Sequence, residues 1–300
     1  MQPEPRRIHV VVGTPTFTNA QATEFTGSMI ELAGEMSRRS ISLGWAVWPN
    51  LQFVDAARNF IVRDFLAKNP TATHLFFIDD DVGFPWMKVL EFLVLDLPIV
   101  AGVPPMKIDG PGQFPVFLTL LPNAEGRSQR DRLVRKGHLL QATQIPAGFL
   151  CIRRDVLEGM ARVASTYAMM ASNGAMDVCF NIFDRGPREP LTGKRSGEYV
   201  GEDTWFGQLA QAAGYEIWVD PDIEFTHRGT KKWVGNLLHH VEGYLNGVST
   251  GAAHEMQLKL THAPDGTIDA TLTELPAGEV VQAQVDVEQP NNERAEEPTP

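Results

Sequence analysis

Three consecutive carboxylates, Asp79, Asp80 and Asp81, follow the apolar run HLFFI at residues 74 to 78. Side chains two apart at a strand end can point the same way, so Asp79 and Asp81 form a candidate pair for a divalent cation, Mg²⁺ or Mn²⁺, bridging a diphosphate. Spacing alone is weak evidence, since Asp220 and Asp222 repeat it elsewhere. The context strengthens it: three adjacent carboxylates repel one another unless a cation lies among them. A second acidic pair, Glu202 and Asp203, opens a run of helical spacing after Gly201. Such a pair complements a helix dipole, or it supplies a base that takes a proton from an attacking hydroxyl. His227, in DIEFTHRG, is the histidine best placed to complete a metal set with Asp79 and Asp81, and Arg228 and Lys231 beside it could steady phosphates. Arg58 and Arg63 are either surface residues or reach a diphosphate.

The elements that must hold these residues alternate in type. Strands are predicted at Ile8–Val12, Trp45–Trp48, His74–Ile78, Ile99–Val103, Leu139–Gln144, Phe149–Ile152 and Tyr215–Val219. Helices are predicted at Glu24–Arg39, Val54–Lys68, Pro85–Leu95, Arg153–Ala164, Glu202–Ala213 and Lys231–Leu245. This order implies an α/β fold with a mainly parallel central sheet, whose carboxyl edge is where open α/β sheets bind ligands. Residues 104–136 read as a long excursion and 165–197 as irregular. Met256–Thr261 and Thr267–Leu275 alternate like a hairpin around Pro264, Asp265 and Gly266, and Gln289–Pro300 reads as a disordered acidic tail. The expected organisation is a main domain over residues 1–235, a helix and β-rich extension over 236–288, and the tail over 289–300.

Composition fits a folded domain: 43% of the 300 residues are hydrophobic and 21% charged. Two cysteines, Cys151 and Cys179, are too few for a disulfide framework, and the longest apolar run, 89–103, is broken by Glu91, Asp96 and Pro98. A cytoplasmic protein without a transmembrane segment is expected. The net charge of −11 is unevenly spread: residues 251–300 hold ten acids and two bases, leaving the first 250 residues at only −3. That acidic tail could mimic nucleic acid, recruit a partner or aid solubility.

Taken in order, VVGTPTFTN (11–19), ARN (57–59), HLFFIDDDV (74–82), IPAGFLCIRRDVLEGM (145–160) and GEDTWFGQLAQAAGYEIWVDPDIEFTHRG (201–229) resemble the GT-A class of nucleotide-sugar glycosyltransferases, in particular the family 2-like group. The resemblance implies a Rossmann-like GT-A domain that moves a sugar from a nucleoside-diphosphate sugar, a UDP-sugar foremost, to an acceptor hydroxyl. It implies that Thr14, Pro15 and Thr16 line the nucleotide. Asp79 and Asp81, or Asp80 in place of one of them, would hold ribose and cation. Gly148 and Phe149 would lie near donor sugar and acceptor, and Glu202 and Asp203 at the acceptor, with Asp203 as base. His227 would be a metal ligand. The acceptor stays open among a glycan, a protein and a hydroxymethylated DNA base of the kind that bacteriophage glycosyltransferases modify. Two other readings stand beside this one. One is a phosphatase of the haloacid dehalogenase type using Asp79 as nucleophile and Asp81 as acid, and the other is a non-catalytic nucleotide- or carbohydrate-binding protein.

Overall fold

Alternation along three strands sorts the core into two layers. The computed structural model describes residues 8–17, 20–49, 53–109, 113–121, 132–170, 176–188, 198–245, 256–262 and 268–274. In chain order, β1 (His9–Thr16), α1 (Thr23–Arg38), β2 (Ser42–Pro49), α2 (Val54–Lys68), β3 (His74–Ile78), β4 (Val82–Gly83), α3 (Trp86–Leu95) and β5 (Ile99–Ala101) make the first half. Next come β6 (Phe117–Leu118), β7 (Arg135–Lys136), β8 (Leu139–Gln144), β9 (Phe149–Arg153) and α4 (Arg154–Val163). Val10, Val12, Phe76, Ile78, Phe149 and Cys151 face a cluster with Phe25, Met29 and Leu32 of α1 and Phe92 of α3. Their neighbours Val11, Leu75, Phe77, Leu150 and Ile152 face the opposite cluster, with Ile61 and Phe65 of α2 and Val156 and Leu157 of α4. Strands apolar on both faces are what a sheet covered by helices on both sides requires.

The central sheet has the order β2-β1-β3-β9-β5-β14-β8-β6, with β7 also paired to β8, where β14 is Ile217–Val219. β2, β1, β3, β5 and β14 run one way, while β9 and β8 run against them. The fold is therefore mixed α/β with a large, mostly parallel sheet, as the alternating pattern implied. The reversed β9 decides the site. Phe149 at its start pairs with Ile78 at the end of β3, so the turn Pro146–Gly148 is delivered to the same edge as Asp79.

Two expectations need correction. Residues 165–197, read as irregular, include the antiparallel pair β10 (Thr166–Met170) and β11 (Met176–Phe180) and also β12 (Gly186–Arg188), which pairs with β13 (Glu198–Val200) just beyond them. Asn173-Gly174 between two short apolar runs was the available hairpin signal. The helix expected over Lys231–Leu245 begins late. Trp233 and Val234 belong to β16 (Lys232–Gly235), which pairs with β15 (Phe225–Arg228), and only α6 (Leu237–Leu245) is helical. Asn236 ends the strand and caps the helix, its side-chain oxygen accepting the Leu238 N–H at 2.8 Å.

By contacts the chain divides at residue 250, and Leu237 and Val241 of α6 lie in the core of the first unit. Within 251–300, β17 (Met256–His262) and β18 (Ile268–Glu274) form the expected antiparallel pair; Pro264–Gly266 and 289–300 fall outside the described residues. No helix among the described residues is long and apolar enough to cross a membrane.

Candidate active site

A cavity of about 420 Å³ opens at the carboxyl edge of the sheet, and its lining includes Arg58, Asp79, Gly148, Glu202, Asp203 and His227 together with Lys107 and four prolines. The predicted residues arrive on five elements. Arg58 comes from the buried face of α2, and Asp79 is the first residue past β3. Gly148 precedes β9, and Glu202 and Asp203 form the first turn of α5 (Glu202–Ala212). His227 lies inside β15, opposite Val82, rather than after the strand. Helix α5 presses so closely on β8 that a Cβ at Gly207 would stand 2.6 Å from the Thr143 carbonyl oxygen, which fixes the height of its acidic first turn.

Arg58 organises the floor. Its guanidinium donates to both oxygens of Asp79 at 2.9 and 3.2 Å and to Glu202 at 3.0 Å, and lies 3.8 Å from Asp203. Burial opposes its charge, but Asp79, Asp203 and Glu202 outweigh that and hold it firmly protonated, above its ordinary value. With only 3% of its side chain exposed, Arg58 is neither a surface residue nor free to reach a diphosphate. Its neighbours in ARN are structural: Ala57 is buried, and Asn59 bonds both the N–H and the carbonyl of Phe183, whose ring stacks on Phe206. Arg63 turns away from the cavity, paired with Asp64 and Asp177 and packed against Phe60 and Trp48.

Asp203 is the most perturbed acid of the cavity, pushed up to about 7 by burial and by the charges of Glu202 and Asp79, against the counter-pull of Arg58. Its carboxylate accepts the Ala147 N–H at 3.2 Å. A carboxylate poised near neutrality and fixed by a backbone donor is suited to take a proton. The turn Pro146–Gly148 therefore touches both acids, since the Gly148 carbonyl accepts the Asp79 N–H and a Cβ at Gly148 would lie 3.1 Å from an Asp79 oxygen. Gly148→Ala is expected to displace the Asp79 carboxylate and weaken ligand binding roughly tenfold or more. Isothermal titration with nucleoside diphosphates checks this, and an unchanged affinity refutes it.

The triplet does not stay in strand register. A turn closes it, the Val82 N–H donating to the Asp79 carbonyl at 3.2 Å, so Asp79 and Asp81 do not point the same way. Asp79 belongs to Arg58. Asp81 faces His227 at 3.3 Å and pairs with Lys107. Burial would raise Asp81, but His227 and Lys107 outweigh it and hold it below the usual carboxylate range. Asp80 is pushed up by burial, with Thr16 countering and Asp81 and Asp79 adding to the rise. The three expected metal ligands thus divide, and among the described residues no group of three histidines, cysteines or acids is arranged to hold an ion. Two of them still fit a cation. His227 Nδ1 lies 2.7 Å from the Pro105 carbonyl, which can only accept, so Nδ1 carries hydrogen and Nε2 is the ring nitrogen turned toward Asp81. A carboxylate and an imidazole nitrogen turned toward one another are ligand types that a divalent cation takes.

The other expected contacts lie outside the cavity lining. Thr14 and Thr16 are buried; the Thr14 hydroxyl accepts the Trp45 indole N–H at 3.0 Å, and Pro15 lies between them on β1. Phe149, expected beside donor and acceptor, is instead fully buried, its ring packed against Phe76, Phe92 and Phe225, because the first residue of β9 points into the aromatic layer under α1 and α3. Arg228 lies 3.8 Å from Glu24, and Lys231 pairs with Asp109. The residues that sequence reasoning missed are Lys107 and the Ala147 N–H. Nothing local in PPMKID marks the lysine.

No protein-family model matches the sequence, and no curated protein matches it significantly. Among solved structures, the crystal structure of A197 from STIV is similar over 92% of this chain and 98% of that one, with 13% identity and a TM-score of 0.42. A glycosyltransferase involved in the glycosylation of the major capsid of PBCV-1 is similar over 50% of this chain and 62% of that one, with 14% identity and a TM-score of 0.28. This chain therefore spans less than two thirds of that second protein.

Proposed function

We propose that this protein is a glycosyltransferase that moves a sugar from a nucleoside-diphosphate sugar to an acceptor hydroxyl. The observation that carries the reading is the meeting of Arg58, Asp79, Gly148, Glu202, Asp203 and His227, from five elements, in one cavity with Arg58 buried at its centre. In this reading Asp203 removes the proton of the acceptor hydroxyl as its oxygen bonds to the anomeric carbon. The bond from that carbon to the diphosphate breaks in the same displacement, which corresponds to inversion. Arg58 and the Ala147 N–H hold Asp203 in place, Glu202 faces the acceptor side, and the proline walls limit water that would compete as acceptor. Asp81 and His227 would hold a divalent cation, Mn²⁺ or Mg²⁺, which when bound neutralises a diphosphate leaving group. Thr16, beside Asp80 at the end of β1, would be the ribose contact in this reading. A UDP-sugar is the first donor to try, and the acceptor is a glycan, a protein or a hydroxymethylated DNA base.

A phosphatase reading is disfavoured because Arg58 occupies both oxygens of Asp79, the atom pair a nucleophile would need free. The deciding experiment incubates the protein with a panel of nucleotide sugars and Mn²⁺ or Mg²⁺ and measures release of nucleoside diphosphate, against Asp81→Ala. Slow release from one donor, lost in the variant, supports the transferase. Cleavage of a phosphate ester with no donor bound or hydrolysed overturns it.

A further inference from the structure

Lys107 stands where nothing in the sequence placed a functional group. It lies between β5 and β6, in a stretch whose Pro104, Pro105, Met106 and Lys107 all line the cavity. Its ammonium sits on one oxygen of Asp81 while His227 faces the other, and the Pro105 carbonyl two residues earlier fixes the His227 ring. The stem of Lys107 passes over Gly229, where a Cβ would stand 3.2 Å from its Cδ, so the glycine of the HRG run leaves the lysine its path. About a third of the side chain is exposed, so the ammonium end reaches solvent at the cavity wall. An ammonium on this carboxylate and a divalent cation shared by Asp81 and His227 compete for the same negative charge. A lysine released from Asp81 stays within the field of Asp80, and a substrate diphosphate in the cavity would offer it a second, stronger anion.

We propose that Lys107 is an exchangeable counter-charge of the site: it neutralises Asp81 while the site is empty and moves to the donor's diphosphate when the site fills. This rests on the reading of the cavity as a nucleoside-diphosphate site. It makes cation and diphosphate binding mutually supportive, because an arriving diphosphate draws the lysine off Asp81 and frees that carboxylate for the cation.

The test uses binding alone. Mn²⁺ and inorganic pyrophosphate are each titrated into the full-length protein and into Lys107→Met, with a circular dichroism spectrum to compare the folds. In the variant Mn²⁺ alone should bind about tenfold more tightly and metal-free pyrophosphate about tenfold more weakly, as expected for removing one charge beside the site. Opposite signs cannot come from a damaged fold, which weakens both. Unchanged or jointly weakened affinities in Lys107→Met overturn the role of the lysine while leaving the diphosphate reading intact. If the unaltered protein binds neither probe, that reading fails and the proposal with it.

Discussion

Asp203→Asn is expected to lower kcat of sugar transfer by about 10³-fold while leaving donor binding nearly unchanged, the effect expected when a positioned base is removed. The amide keeps the size of the side chain and an oxygen that can still accept the Ala147 N–H. It cannot take a proton. In the unaltered protein the proposed transfer should speed up with pH through about 7, because burial and the neighbouring Glu202 and Asp79 charges keep Asp203 protonated below that value. Stability has the opposite slope. A carboxylic acid near 4 in the unfolded chain and near 7 when folded binds its proton more tightly in the folded state. Its contribution is therefore fully present below about pH 4 and is lost as the pH rises through about 7. Asp203→Asn should flatten both profiles, measured as kcat/KM and as the urea midpoint between pH 4 and 9. A variant that keeps full activity, or a wild-type rate flat across neutrality, would falsify the base assignment.

Arg58→Ala should destabilise the protein by about 3 kcal/mol and abolish activity, as happens when one partner of a buried charge cluster is removed. Asp79, Glu202 and Asp203 would remain, their side chains 21 to 31% exposed, with no cation between them. Their remaining exposure places the expected cost at the lower end for such losses. Because the penalty comes from mutual repulsion, it should shrink at pH 5, where Asp203, pushed up to about 7, carries its proton, and grow at pH 8. Arg58→Lys should not restore function, since one ammonium cannot serve Asp79 and Glu202 with separate nitrogens. Urea denaturation of both variants at the two pH values checks this. A loss below 1 kcal/mol that does not depend on pH would show that Arg58 is dispensable.

Much of the framework was legible in the sequence because it depends on local periodicity. The runs VVV, LFFI and FLCI are apolar at every position, as strands covered on both faces are. Helix α2 ends where Asn69 and Pro70 end it, and α5 begins at Glu202, after Gly201, both as expected. The short strands β12, β13 and β16 were missed because each is three or four residues long and owes its form to a partner strand rather than to its own pattern.

The candidate site divides along the same line. Sequence by itself determined which carboxylates and glycine stand at strand and helix ends, because a strand end is a local property. Tertiary structure alone decided which charges meet. Arg58 reaches Glu202 across 144 positions, His227 leans on a carbonyl 122 positions away, and Lys107 finds Asp81 across 26. Tertiary packing also separated Asp79 from Asp81, since a single turn after β3 cancels the two-residue period, and it buried Phe149, because the reversal of β9 sets which face its first residue takes. Charge pairing acts over a few ångströms of space and carries no trace in chain separation, so it becomes visible only once the sheet order is known.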